Sequence, residues 1–368
     1  WDDFRRLPGG TGPVVRRMLA VDPNERPRSM AEVILLLESP PRPTRRAALV
    51  TGAAVVVALS GGALAYFRPW QREPPPPKPK PELPGYSPEQ LATAAENNLP
   101  VEWTDEYGIT FVLIPPGQAW VGTAPEEIDR LVEREPDPAY HPFIRAEVRR
   151  VINIPKPAYL ARTELTIGQM KAIVGPRRFI SEVEAGRQNG YAFRDGQWVT
   201  EPGRSWRDGG PELPLTDDHP AINLTYLDAS NLVRMMNGPA KGVPRYLVPD
   251  EEFWEYACLA GSAPTDANGN PVAVEDIAVF DTPRPLPVRS RLPNRWGLFD
   301  MLGNLLEWCL FARQGGKGDA RLAPLRGGKF NDRADRVRPA ARVWEPLTSP
   351  LGGLRLARTA NLPARDHP

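Results

Sequence analysis

The sequence predicts an α+β protein: one large loop-rich domain displayed on a stiff spacer beside a membrane-spanning helix. Three observations carry this. From about Val101 to residue 360, apolar stretches of strand and helix length alternate with Gly and Pro turns. A run of 21 residues, Ala47 to Phe67, has no charge. Of the 368 residues, 45 are Pro, more than twice the usual share, and eight of them fall between Pro69 and Pro84. Lys+Arg 46 against Asp+Glu 45 leaves a net charge of +1, so no global field attracts nucleic acid. Two cysteines, Cys258 and Cys309, are too few for a disulfide framework, a four-cysteine zinc site or an iron–sulfur cluster.

With Trp1 rather than Met at its start, the chain reads as a fragment or processed product. Residues 1–38 hold two helix-like runs, Val14 to Ala20 and Ser29 to Leu37, around the turn Asp22-Pro23-Asn24-Glu25-Arg26-Pro27. Ser29 and Glu32 form a capping box for the second run. The wording MLAVDPNERPRSMAEVILLLE resembles the last segment of the large lobe of eukaryotic-type Ser/Thr protein kinases. That resemblance implies a structural role for Arg26, in a buried ion pair with a Glu upstream that this chain does not contain. An unrelated helical hairpin is the plainer reading of the same residues. Phosphoryl transfer needs a Gly-rich loop, a phosphate-binding Lys, an Asp base and an Asp for magnesium. None of those motifs occurs here, so kinase activity is expected of the parent protein and not of this chain.

Residues 39–46 form a basic juxtamembrane segment. At 1.5 Å per residue, residues 47–67 are long enough for one transmembrane helix. Arg42, Arg45 and Arg46 precede it and outweigh Arg68 and Arg72 beyond it, which places the N-terminus in the cytoplasm and the C-terminal domain outside it. Gly52, Gly61 and Gly62 permit close approach of two helices, hence a homodimer, without the GxxxG spacing. Residues 68–100 read as a Pro-rich linker whose polyproline part holds the domain off the membrane.

In the domain, 101–360, strands are expected at Ile109–Ile114, Gln118–Gly122 and Val148–Ile154. A helix over Thr225–Met236 places Ala229, Leu232, Val233 and Met236 on one face. A second, over Asp250–Leu259, opens with acids at the positive end of its dipole and buries Phe253, Trp254 and Cys258. Gly303 and Asn304 suit a tight turn at positive φ. Trp254, Trp296 and Trp308 read as core aromatics. Residues 361–368 are a tail.

Five separated motifs then stand in a recognisable order: Ile114-Pro115-Pro116-Gly117-Gln118; Pro220-Ala221-Ile222-Asn223; Tyr246 to Ala257 (YLVPDEEFWEYA); Asn294 to Trp308 (NRWGLFDMLGNLLEW); and Leu325-Arg326-Gly327-Gly328-Lys329-Phe330 continuing to Gly353-Leu354-Arg355-Leu356. This pattern, over about 105–358, resembles the sulfatase-modifying-factor family, which includes formylglycine-generating enzyme. The resemblance implies a C-type-lectin-like core with long irregular loops, in which Trp254, Gly303, Trp308, Gly327 and Gly328 are structural. It also implies a calcium-binding turn at Gly303–Trp308, with Asn304 and Glu307 as side-chain ligands; a capped turn without metal is the plainer reading.

In that family, two cysteines after the Arg-Gly-Gly motif bind copper and oxidise a sulfatase cysteine. Here GGKFNDRADRVRPAAR follows, with Asn331, Asp332 and Val337 where the thiols would be needed. Neither a hard carboxylate nor an aliphatic side chain replaces a thiolate, so copper and its chemistry are not expected and no catalytic residue is assigned. His141 and His219 are isolated, and no G-x-S-x-G is present.

The favoured function is therefore a membrane-anchored, non-catalytic domain that recognises an extracytoplasmic ligand or protein. A formylglycine-generating-type oxidoreductase using other ligands, and a scaffold for envelope proteins, are the alternatives. Arg333, Asp335, Arg336, Arg338, Arg342 and Trp344 are the candidate ligand face, able to clasp a carboxylate or sulfate and stack a planar group. The competing reading is a solvated edge with Arg342 and Arg355 in internal ion pairs.

Overall fold

The computed structural model describes residues 85–175, 179–239, 244–260, 272–310 and 322–360. The kinase-like segment with Arg26, the juxtamembrane segment, the apolar run 47–67, the stalk to residue 84 and the tail 361–368 lie outside the described residues. Among the described residues no helix is long and apolar enough to cross a membrane.

The centre is an antiparallel five-stranded sheet in the order β1 (Glu102–Thr104), β2 (Thr110–Ile114), β5 (Ala158–Ala161), β14 (Ala357–Thr359) and β8 (Tyr246–Leu247). In β2 successive side chains point to opposite faces, and both faces are covered. Phe111 and Leu113 enter a core with Tyr159, Ile167, Met170 and Leu232, while Val112 and Ile114 enter another with Leu160, Phe253, Trp254 and Trp296. The apolar run Phe111–Ile114 is continuous because neither face meets water. β14 lies beside β5, so the last and first parts of the domain close on each other.

The remaining expected elements are close to where the sequence places them. β3 (Gly117–Val121) and β4 (Arg150–Ile154) form a two-stranded ribbon with Trp120 opposite Val151. Val148 stays outside β4, bridging to Thr123 instead. α5 (Tyr226–Asn237) starts at an N-cap Thr225 in a capping box with Asp228 and buries Ala229, Leu232 and Met236. α6 (Glu251–Leu259) is capped by Asp250, whose carboxylate accepts the Phe253 N–H at 2.8 Å. Trp254, Trp296 and Trp308 are buried core aromatics.

One boundary differs from expectation. Within the stretch read as linker 68–100, residues Pro88–Asn97 form a helix, α1, that packs on the domain. Ser87 and Gln90 make a capping box with Pro88 in the first turn, and the Gln90 amide donates to the carbonyls of Leu113 (3.0 Å) and Trp296 (3.2 Å). Pro88 is a helix-start signal at this position. The linker therefore ends before Ser87.

Candidate functional site

The site is built around β12 (Leu322–Arg326), which pairs antiparallel with β11 (Glu307–Trp308) and β13 (Arg342–Pro346). The strand ends in Gly327 and Gly328, and the chain turns back across β13. At Gly328, with φ +77°, a Cβ would sit 2.8 Å from the Arg336 carbonyl oxygen, so only glycine lets residues 329–338 fold this tightly.

Two fully buried ion pairs support this frame. Arg326 pairs with Glu255 of α6 and donates to the carbonyls of Pro339 and Ala340. Arg355 forms bonds of 2.7–3.0 Å to both oxygens of Glu307 and also donates to the Ala161 and Phe299 carbonyls. Trp254 Nε1 donates to Glu307 at 2.6 Å. The competing sequence reading of internal ion pairs for Arg342 and Arg355 matches this geometry, Arg342 pairing with Glu251 at 3.1 Å.

The turn Gly303–Trp308 adopts the expected positive φ at Gly303 (+75°) and Asn304 (+54°). Its residues do not fit calcium. The Asn304 amide donates to Glu164 (2.7 Å) and Leu286 O (3.2 Å) while its oxygen accepts the Leu286 N–H (2.9 Å), and Glu307 is consumed by Arg355 and Trp254. Both side chains that calcium would need are already engaged, Glu307 by a counter-charge and Asn304 by three hydrogen bonds. Among the described residues no group of three or more His, Cys, Asp or Glu is placed to hold a metal ion.

Beside this turn, Glu164, Asp300 and Glu307 are all buried, with Arg355 as their counter-charge. Burial pushes the Asp300 carboxyl up to about 6, and burial with the neighbouring Asp300 and Glu307 pushes Glu164 well above the usual range. A carboxyl raised on folding stabilises the protein below its unfolded value, and that contribution is lost as pH rises through the folded value. Asp300→Asn should accordingly gain on the wild type between pH 4 and pH 7, by about 1–3 kcal/mol. Urea midpoints at the two pH values check this; a constant difference refutes it.

The donors that copper would require are absent from the expected place. Asp332 is buried, with its carboxylate accepting the Lys329 N–H at 3.0 Å, and Val337 is buried in the core. Cys258 and Cys309 are buried elsewhere, and burial pushes both thiols up, away from the thiolate form.

The structure brings the candidate ligand face together on one segment but pairs three of its guanidinium groups with carboxylates of the protein. Arg336 grips Glu135 in two bonds (2.8 and 2.6 Å) and stacks on Tyr140, just after α2 (Pro125–Arg134). Arg338 grips Glu147, following α3 (His141–Arg145), at 2.7 and 3.0 Å. With Arg342 on Glu251, three of the four arginines are committed to carboxylates of the protein. Arg333 pairs with Asp335 at the surface, and Trp344 is half-buried in β13 opposite Pro324. The acidic partners lie some 90 to 200 residues away in sequence, which is why the run alone reads as a free basic face.

The 329–331 segment also lines a groove with about 510 Å³ of space, part of it open to solvent. Trp198 and Phe330, with ring centroids 5.2 Å apart, join Leu305 and Leu351 as its apolar wall. Tyr191, Lys329 and Asn331 supply its polar groups. The Asn223 amide, in contrast, is saturated by the backbone of Tyr191 and Ser205 and acts as a brace. Sequence reasoning missed this groove. Its signal was Lys329, a cation placed directly after the two glycines.

A model of the sulfatase-modifying factor enzyme 1-like domain matches residues 100–360. The chain belongs to that family. Among curated proteins, this sulfatase-modifying-factor chain is 30% identical to the serine/threonine-protein kinase pkn1 of Chlamydia pneumoniae over 132 residues, 36% of the chain and 18% of the kinase. It is 31% identical to pkn1 of Chlamydia caviae over 116 residues, 32% of the chain and 16% of that kinase. The chain thus spans less than a fifth of the length of these relatives. PvdO from Pseudomonas aeruginosa superposes with a TM-score of 0.52 at 21% identity, over 71% of this chain and 98% of PvdO. The likeness establishes the formylglycine-generating-enzyme-type, C-type-lectin-like fold, mixing helix and sheet.

Proposed function

We propose that this sulfatase-modifying-factor domain is a non-catalytic recognition module, anchored in the membrane by residues 47–67 and displayed outside the cytoplasm as the distal part of a Ser/Thr protein kinase. The observation that carries the reading is the pairing of a filled thiol site with an open groove. By the family resemblance Asn331, Asp332 and Val337 stand about where the oxidase cysteines would be needed, both cysteines of the described domain are buried elsewhere, and a groove lined by Lys329 and Asn331 presents polar side chains. The kinase-like wording of residues 1–38 and the similarity to two kinases support the parent assignment. The basic flank of residues 42–46 supports the orientation.

Incubating the full chain with copper and a sulfatase peptide containing the target cysteine, followed by mass spectrometry, should leave the thiol intact. Conversion to an aldehyde would overturn the non-catalytic reading. In cells, the chain should fractionate with membranes and its C-terminal domain should be cut by protease added from the extracytoplasmic side. Recovery in the soluble fraction would remove the anchor.

A further inference from the structure

The groove walled by Trp198, Phe330, Leu305 and Leu351 differs from every other charged cluster near the Arg-Gly-Gly strand, because its polar groups are not spent on the protein. Among the described residues, the Lys329 ammonium, the Asn331 amide and the Tyr191 hydroxyl have neither an ion-pair nor a hydrogen-bond partner. All three can donate. Lys329 and Asn331 flank Phe330 in sequence, and all three line the groove.

Donors beside an apolar wall match a ligand with an anionic group and a hydrophobic body. The charge of that anion follows from the surroundings. Asp332 and Glu345 both feel the Lys329 charge from beyond ion-pair contact, and burial pushes both carboxyls up. A single cation so flanked suits a monoanion better than a phosphate dianion, which would call for several cations or an Arg fork. The two oxygens of a carboxylate match the ammonium and amide donors, with the Tyr191 hydroxyl as a third. An apolar wall with a few convergent polar groups is the make-up of a small-ligand site.

We infer that this groove binds a carboxylate carried on an aromatic or aliphatic body, with Lys329 and Asn331 on the carboxylate and Trp198 and Phe330 against the body. The inference rests on reading the domain as a recognition module and names what it recognises. A peptide C-terminus and a small free acid share this chemistry.

Calorimetric titration of the full chain in detergent micelles with N-acetyl-Ala-Phe, its C-terminal amide and 3-phenylpropionate separates the cases. The acid peptide should bind about tenfold more tightly than the amide, the effect of one charge-assisted contact. Lys329→Met should weaken the acid about tenfold and leave the amide unchanged, and Asn331→Leu should act in the same direction by a smaller factor. Tighter binding of the peptide than of phenylpropionate assigns a chain terminus, and the reverse assigns a free acid. Equal binding of acid and amide, no binding of either acid, or no effect of Lys329→Met in a variant with unchanged melting overturns the inference. Equal binding would leave the recognition-module reading intact, whereas aldehyde formation in the copper assay would remove that reading without touching carboxylate selectivity.

Discussion

Arg355→Met is expected to destabilise the domain by about 3–5 kcal/mol, because it leaves Glu307 as a buried carboxylate without its counter-charge. The substitution keeps much of the side-chain volume, so the loss reports charge and hydrogen bonding more than packing. Arg355 is fully buried and ties together strands distant in sequence through Glu307, Ala161 and Phe299. Glu164 and Asp300 lie close enough to repel the orphaned Glu307. Chemical denaturation of the full chain at pH 7 measures the loss. A second variant, Arg355→Met with Glu307→Leu, should recover part of it, since an apolar pair strands no charge. A loss below about 1 kcal/mol for the single change would show that the ion pair is not a structural support.

Gly303→Ala should cost about 4 kcal/mol or more and reduce the folded yield sharply. At φ +75° an L side chain is strained, and a Cβ here would lie 1.9 Å from the Val279 carbonyl oxygen. The residues that collide are also paired: β9 (Ala278–Val279) runs parallel to β10 (Leu302–Gly303), with Gly303 opposite Val279. Relief would require separating the two strands and with them the Asn304 contacts to Glu164 and Leu286. Gly196→Ala, which has comparable φ but meets nothing within 4 Å, provides the control for φ strain alone. Equal losses in the two variants would refute the close-approach explanation.

These two residues mark the two kinds of information in the chain. Gly303 was legible as a turn glycine because its neighbours Asn304 and Glu307 form a local pattern. So were the helices at Tyr226–Asn237 and Glu251–Leu259, whose caps and apolar faces lie within a dozen residues. α1 escaped because the proline content of the preceding stretch masked the Ser87–Gln90 capping box. The ligand face escaped differently. Arg336, Arg338 and Arg342 are correctly placed on one segment, but their partners Glu135, Glu147 and Glu251 come from elements far away in sequence.

Local order and residue type thus settle the family, the positions of its motifs and the absence of thiols after Arg-Gly-Gly. Which charges remain available to a ligand is a tertiary matter. A guanidinium within reach of a buried carboxylate is neutralised, and one side of the Arg-Gly-Gly segment is closed in this way. Lys329, Asn331 and Tyr191 stay open because the fold brings aromatic rings, and no ion-pair partner among the described residues, to the other side. Pairing depends on distances of a few ångströms between residues up to 200 positions apart, and those distances exist only once the chain has closed on itself.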